Sequence, residues 1–263
     1  MTGSFDISYL ALALYGLMLI VPISIFLYLK IKKVKALIIS VLRMSIQLAF
    51  VALYLEYIFK LKNLTVNIVW VLIMILIANG SVLNQSGLRI KKLFFYTFGA
   101  FLISIIFVFI PLFFVFGTKV LISPRYMIPL GGMILGNILR VNIISLERFY
   151  NGLTSRDEEF IFYIHLGATK WEAIKPFLQE AVSRAISPQI AMVATMGLVS
   201  LPGMMTGQIL GGSSPAVAIK YQIMIMIAIF TTAVISTFLG IIFSTFATID
   251  GFLRLKKDVF KDR

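Results

Sequence analysis

The 263-residue chain is 60% hydrophobic and 13% charged, with a mean hydropathy of +0.99. A soluble domain is about half apolar and about a quarter charged, so this composition excludes one and indicates a polytopic helical membrane protein. The net charge of +13 would suggest nucleic acid in a soluble chain, but here lysine and arginine fall in the short connections, and the absence of cysteine excludes a disulfide framework or thiolate metal site.

Seven apolar runs are each long enough to cross a bilayer. The first extends from about Ile7 to Leu29, the second from Leu37 to Phe59 and the third from Leu64 to Leu83. The fourth covers Leu93 to Phe116, the fifth Ile128 to Leu146, the sixth Pro188 to Leu210 and the seventh Tyr221 to Ala247. The expected architecture is an all-α transmembrane bundle in a single domain spanning 1–263. The first run is too long for a signal-peptide core and lacks a basic leader, which predicts an uncleaved first helix.

Basic residues alternate between the connections. Lys30, Lys32, Lys33 and Lys35 fill the first connection, Arg89, Lys91 and Lys92 the third, and Arg148, Arg156, Lys170, Lys175 and Arg184 the fifth. The second holds Lys60 and Lys62, the fourth Lys119 and Arg125, and the sixth only Lys220. The tail adds Arg254, Lys256, Lys257, Lys261 and Arg263. By the positive-inside rule the N-terminus is outside and the C-terminus inside. The expected location is the inner or plasma membrane.

The fifth connection, about 147–187, is the only long polar segment, and its pattern is helical. Phe160, Ile164, Trp171, Ile174, Leu178, Val182 and Ala185 recur at helical intervals. Asp157, Glu158 and Glu159 suit a helix N-terminus. Ser155 with Glu158, and Thr169 with Glu172, have capping-box spacing. The segment therefore predicts helix, turn at Gly167-Ala168, helix. It could lie on the membrane surface or, given its acidic start, dock a protein partner.

Polar residues inside the spans mark either packing or a pathway. Arg43 and Gln47 share one face of the second span. Asn137, Arg140 and Asn142 follow the small pair Gly132 and Gly136 in the fifth, a spacing that lets helices approach closely. Asn79 in the third suggests a helix–helix hydrogen bond.

The covalent and nucleotide motifs are missing. One histidine, His165, rules out an H-E-x-x-H zinc site, and no G-x-x-x-x-G-K-[ST] or G-x-S-x-G run occurs. What remains is Val199 to Gln222, which carries Pro202, Gly203, Gly207, Gly211, Gly212 and Pro215 within apolar sequence. Helix breakers at membrane depth are tolerated where protein or a water-filled cavity surrounds them, and interrupted helices are pointers to transporter binding sites. Met204 and Met205 are either apolar filling or soft thioether metal ligands, with Gln208 one turn on.

Pro124 to Asn137 (P-R-Y-M-I-P-L-G-G-M-I-L-G-N), Val199 to Pro215 (V-S-L-P-G-M-M-T-G-Q-I-L-G-G-S-S-P) and Tyr221 to Met226 (Y-Q-I-M-I-M) resemble the FetB-type permease family. Arg43 with Gln47, and His165-Leu166-Gly167-Ala168-Thr169, fit the same pattern. The resemblance implies the membrane subunit of an ABC transporter, linked in bacteria to iron export and in plants to aluminium tolerance. It implies a second copy of the chain and a separate ATPase that carries ATP and magnesium, with no covalent chemistry and no cofactor on this chain. Glu158, Glu159, His165, Gly167, Ala168, Thr169 and Trp171 would then form the ATPase-coupling segment. Ile161, Phe162 and Tyr163 stand where related importer loops carry Glu-Ala-Ala. The pathway residues would be Arg43, Gln47, Asn137, Arg140, Pro202, Gly203, Met204, Met205 and Gln208, with Met204 and Met205 as candidate metal ligands. Alternative readings are an ABC permease for a nucleotide sugar or other small solute, or a self-sufficient ion channel or carrier.

Overall fold

The computed structural model describes residues 7–61, 63–117, 123–250, 254–256 and 260. Lys62, Lys119, Lys257, Lys261 and Arg263, among the loop charges above, lie outside them. The described chain is α-helical, with isolated bridges as its only extended pairing. Among the described residues, six helical segments are long and apolar enough to cross a membrane. This is a polytopic all-α membrane protein.

The first segment is α1 (Tyr9–Gly16), a 3₁₀ turn (Leu17–Leu19) and α2 (Ile20–Tyr28). The Ser8 hydroxyl caps its start by accepting from the Ala11 amide at 3.2 Å. Then come α3 (Val34–Leu61), α4 (Leu64–Gln85), α5 (Ile90–Phe116) and α6 (Pro124–Ser155). The short α7 (Asp157–His165) leads through a turn into α8 (Lys170–Thr195), and α9 (Gly203–Leu210) precedes α10 (Pro215–Thr248).

The core is built by α4, α5, α6, α8 and α10. Leu83, Phe101, Ile138, Phe149 and Ile241 are fully buried in it. α6 and α10 run parallel in constant register. Asn142 Nδ2 donates to Ser236 Oγ at 2.8 Å, and the Tyr150 hydroxyl reaches Ser244 at 2.7 Å and Thr248 at 3.2 Å. The buried small residues Thr232, Ser236, Gly240 and Ser244 make this approach possible. In lipid, close packing and such cross-helix bonds replace the hydrophobic drive. The expected bond from Asn79 exists, since its Nδ2 donates to the Phe94 carbonyl at 2.9 Å and ties α4 to α5.

Three sequence expectations are revised. Pro188 to Leu210 is not one continuous helix. Its first part is the end of α8, the chain breaks between Met196 and Pro202, and α9 follows. Gly197 at φ +88° and Pro202 at the α9 N-cap stop the helix. Of the glycine pair, only Gly132 meets a neighbour, with a Cβ there 3.1 Å from Met74 of α4. Gly136 faces open space. Finally, Ser155 does not cap α7. Its hydroxyl donates to the Gly152 carbonyl at 3.3 Å because α6 continues through it.

Candidate functional site

The turn after α7 folds as the sequence directs. Gly167 takes φ +88°, a left-handed conformation that favours glycine. Thr169 then starts α8 with a complete capping box. Its hydroxyl accepts from the Glu172 amide at 3.3 Å, and the Glu172 carboxylate accepts from the Thr169 amide at 2.8 Å. The Thr169 hydroxyl also donates to that carboxylate at 2.7 Å, and this bond, followed by the one from the Thr169 amide, holds the Glu172 carboxyl below its usual range.

Arg156 braces the hairpin with a 2.7 Å ion pair to Glu180 and a guanidinium 4.6 Å above the Phe177 ring. It also lies 3.6 Å from Glu159, whereas Glu158 is exposed. Phe160 packs edge-on against Phe177 inside the hairpin. The outer surface is apolar, with Ile161, Phe162, Leu166 and Trp171 all exposed. His165 is exposed among them, and Ala168 is half-buried. Two residues on, Lys170 crosses to α10. Its Nζ donates to the Thr245 carbonyl at 2.9 Å and lies 5.4 Å from the Phe246 ring centre. Partial burial pulls its ammonium below the ordinary lysine range.

At the far end of α8, the break opens a cavity of about 760 Å³ between α8, α9 and α10. Met196, Pro202, Met205, Gln222, Met226 and Thr231 are among its walls. The lining is overwhelmingly apolar. Gln222 Nε2 lies 4.0 Å from the Met196 sulfur, and its buried Oε1 has no partner among the described residues. The adjacent methionines diverge, for Met205 lines the cavity while Met204 packs on the core. Gln208 carries a buried Oε1 without a described partner, and Gly203 is exposed at the start of α9.

Sequence reading missed Met196, Met226 and Gln222. The signal for Gln222 and Met226 was their four-residue spacing, which places both on one α10 face. That signal was masked by the surrounding apolar run. Among the described residues no group of three His, Asp or Glu side chains could hold a metal ion.

The remaining polar residues lie elsewhere. Arg43 and Gln47 are exposed on α3, Arg140 is exposed on α6, and Asn137 is half-buried with its Nδ2 donating to the Met133 carbonyl at 2.8 Å. None of these four residues lines the cavity between α8, α9 and α10.

Comparison with known proteins finds relatives along most of the chain. It is 31% identical over 242 residues to the probable iron export permease protein FetB of Escherichia coli, covering 90% of this chain and 91% of that one. It is 40% identical over 115 residues to a UPF0014 membrane protein of Synechocystis, an aligned stretch that takes in 44% of each chain. The protein ALUMINUM SENSITIVE 3 of Arabidopsis thaliana is 36% identical over 115 residues, 44% of this chain and 42% of that relative. No solved structure matches. The model of the uncharacterised protein family UPF0014 matches residues 9–248, and the chain belongs to that family.

Proposed function

We propose that the chain is the membrane-spanning permease subunit of an ATP-driven transporter that exports iron or another metal ion, acting as a pair with two copies of a separate ABC ATPase. The observation that carries this reading is the exposed apolar collar of Ile161, Phe162, Leu166 and Trp171 around the Gly167 turn, on a chain with no phosphate-binding loop. Such a patch outside the spans fits a protein partner. The names of the Escherichia coli and Arabidopsis relatives support metal handling.

In this mechanism the N-terminus is outside and the turn faces the cytoplasm. Where related importer loops present Glu-Ala-Ala, Ile161 and Phe162 offer an apolar surface to a groove on the ATPase. Closure of the ATPase pair on ATP pushes the turn. α8 transmits the push as one helix, since its first turn is the docking turn and its last borders the cavity. Lys170–Thr245 and the edge-on contact of Trp171 with Phe238 carry it to α10. This chain performs no covalent step.

The test is co-purification with candidate ABC ATPases from the same genome, followed by ATPase assays in liposomes. Phe162→Asp with Leu166→Asp is expected to abolish association and metal-stimulated hydrolysis. Full association by that double variant would overturn the docking role, and flux through the chain alone would favour a channel.

A further inference from the structure

α8 and α10 are tied together at one end and part at the other. Lys170 bonds to the Thr245 carbonyl, and Trp171 sits edge-on to Phe238 with ring centres 6.4 Å apart. At the far end α8 stops at Thr195, and the two helices separate around the cavity of about 760 Å³. The α10 wall of that cavity runs from Ile219 to Thr231, about 18 Å of helix. Tyr221, in the first turn of this wall, lies 5.4 Å from the Phe116 ring at the last residue of α5. The cavity therefore extends inward from the end of the neighbouring span, at a depth where the chain meets lipid.

Its walls are of two kinds. Ile190 and Val193 of α8 and Ile223 and Ile227 of α10 line the cavity and are also exposed on the surface of the chain. They frame a side opening toward lipid. Behind them Gln222 and Met226 are buried, and Met196, Met205 and Phe230 are half-buried. None of the described lining residues carries a charge. An ion drawn in would lose its hydration and meet no counter-charge. The volume points the same way, for it falls within the roughly 300–1,000 Å³ of small-molecule sites, which are mostly apolar with a few placed polar groups. A water molecule takes about 30 Å³, so a desolvated ion would leave the space nearly empty.

Gln222 supplies the placed polar group. It is 7% exposed, its Oε1 has no partner among the described residues, and its Nε2 lies 4.0 Å from the Met196 sulfur, a weak acceptor. A hydrocarbon tail in the cavity would leave this amide unpaired, which is costly for a buried polar group. A ligand with a hydroxyl or amide N–H satisfies it. Thr231 adds a hydroxyl at the other end of the α10 wall, about 13 Å further along the helix. Met196, Met205 and Met226 complete the lining with flexible, polarizable side chains that adapt to varied apolar shapes.

We infer that the cavity between α8, α9 and α10 binds an uncharged amphiphile, an apolar body with a hydrogen-bond donor that engages Gln222, and that this ligand enters from the bilayer between α8 and α10. The inference goes beyond the ATP-driven permease reading and stands without it.

The test is photolabelling of the full chain in nanodiscs of uncharged lipid with a diazirine-bearing octanol, using the matching octane as the hydrocarbon control. Labelled peptides are identified by mass spectrometry. Saturable labelling by the alcohol is expected between Ile190 and Thr231, above the unsaturable background of lipid-facing helices. Gln222→Leu should weaken the alcohol about fivefold, the scale of one neutral hydrogen bond. It should leave the octane unchanged, which also shows that the cavity is intact. Met205→Trp fills the space and should remove saturable labelling by both probes. Ile103→Trp, at an exposed site on α5, should label as the parent does. Displacement of the probe by decanol alone supports a free solute, and displacement by dioleoylglycerol as well supports a membrane lipid of the same chemistry. No saturable labelling of the parent chain, or equal alcohol affinity in Gln222→Leu, would overturn the inference. So would displacement by silver(I) that is lost in Met196→Leu with Met226→Leu, which would make the cavity a soft-metal site. Because no ATPase is present, each of these failures leaves the permease reading standing. Loss of ATPase association with labelling intact would sink only that reading.

Discussion

Lys170 Nζ donates a 2.9 Å hydrogen bond to the Thr245 carbonyl, joining the first residue of α8 to the last turn of α10. The bond leaves the Gly167 turn mechanically tied to the helix that walls the cavity. Lys170→Met keeps most of the stem and removes the donor. It is expected to leave ATPase association intact while lowering metal-stimulated hydrolysis several-fold, measured in liposomes. Equal loss of association and hydrolysis would instead make Lys170 part of the docking surface.

Gly167 is the hinge of the same turn. At φ +88° a Cβ is strained, although nothing lies within 4 Å of where it would sit. Gly167→Ala should therefore cost about 1–2 kcal/mol from backbone strain alone. The expected readout is faster amide exchange at Gly167 and Ala168 with little change in the exchange of α4 and α5. An unchanged turn would show that the left-handed conformation is not required.

The cap at Thr169 gives a pH dependence with a definite sign. Folding holds the Glu172 carboxyl below its ordinary value of 4.5. Its contribution is therefore complete above that value and is lost as pH falls through the lower, folded value. The first turn of α8 should fray in acid below about pH 4.5, and Glu172→Ala, which removes the acceptor, should fray it at neutral pH. Hydrogen exchange at the Glu172 and Ala173 amides reads this directly, and pH-independent exchange protection in the parent chain would contradict it.

Asn142 shows that a polar residue in a span can be structural. It is 1% exposed, with Nδ2 shared between the Ile138 carbonyl at 2.9 Å and Ser236 at 2.8 Å. Asn142→Ala should cost about 1 kcal/mol, the scale of such bonds in membranes. A thermal shift in detergent would register it, matched by Ser236→Ala if the cross-helix bond is the cause.

The contrast between Asn142 and Arg140 explains what the sequence conveyed. Both are polar residues in one apolar run, and two positions of separation put them on different helix faces. Periodicity revealed the spans, the Gly167 turn and the Thr169 cap because each depends on neighbours in sequence. The break at Met196 to Pro202 was written in its glycine and prolines, yet its cavity also needs Gln222 and Met226 from α10. Those side chains carry no local mark, since partnership across twenty residues or more is a property of packing.

Met204 and Met205 provide the sharpest separation of packing from pathway. Met204 packs on the core and Met205 lines the cavity. Met204→Ala should leave a void and cost about 2 kcal/mol, the low end for truncating a core methionine. Met205→Ala only enlarges the cavity and should change thermal stability much less. Its expected effect is on transport, seen as altered metal-stimulated ATPase activity in liposomes. If Met204→Ala changed transport without changing stability, the adjacent thioethers would act together as ligands. Unchanged transport in Met205→Ala and in Met205→Trp, which fills the cavity, would remove it from the path altogether.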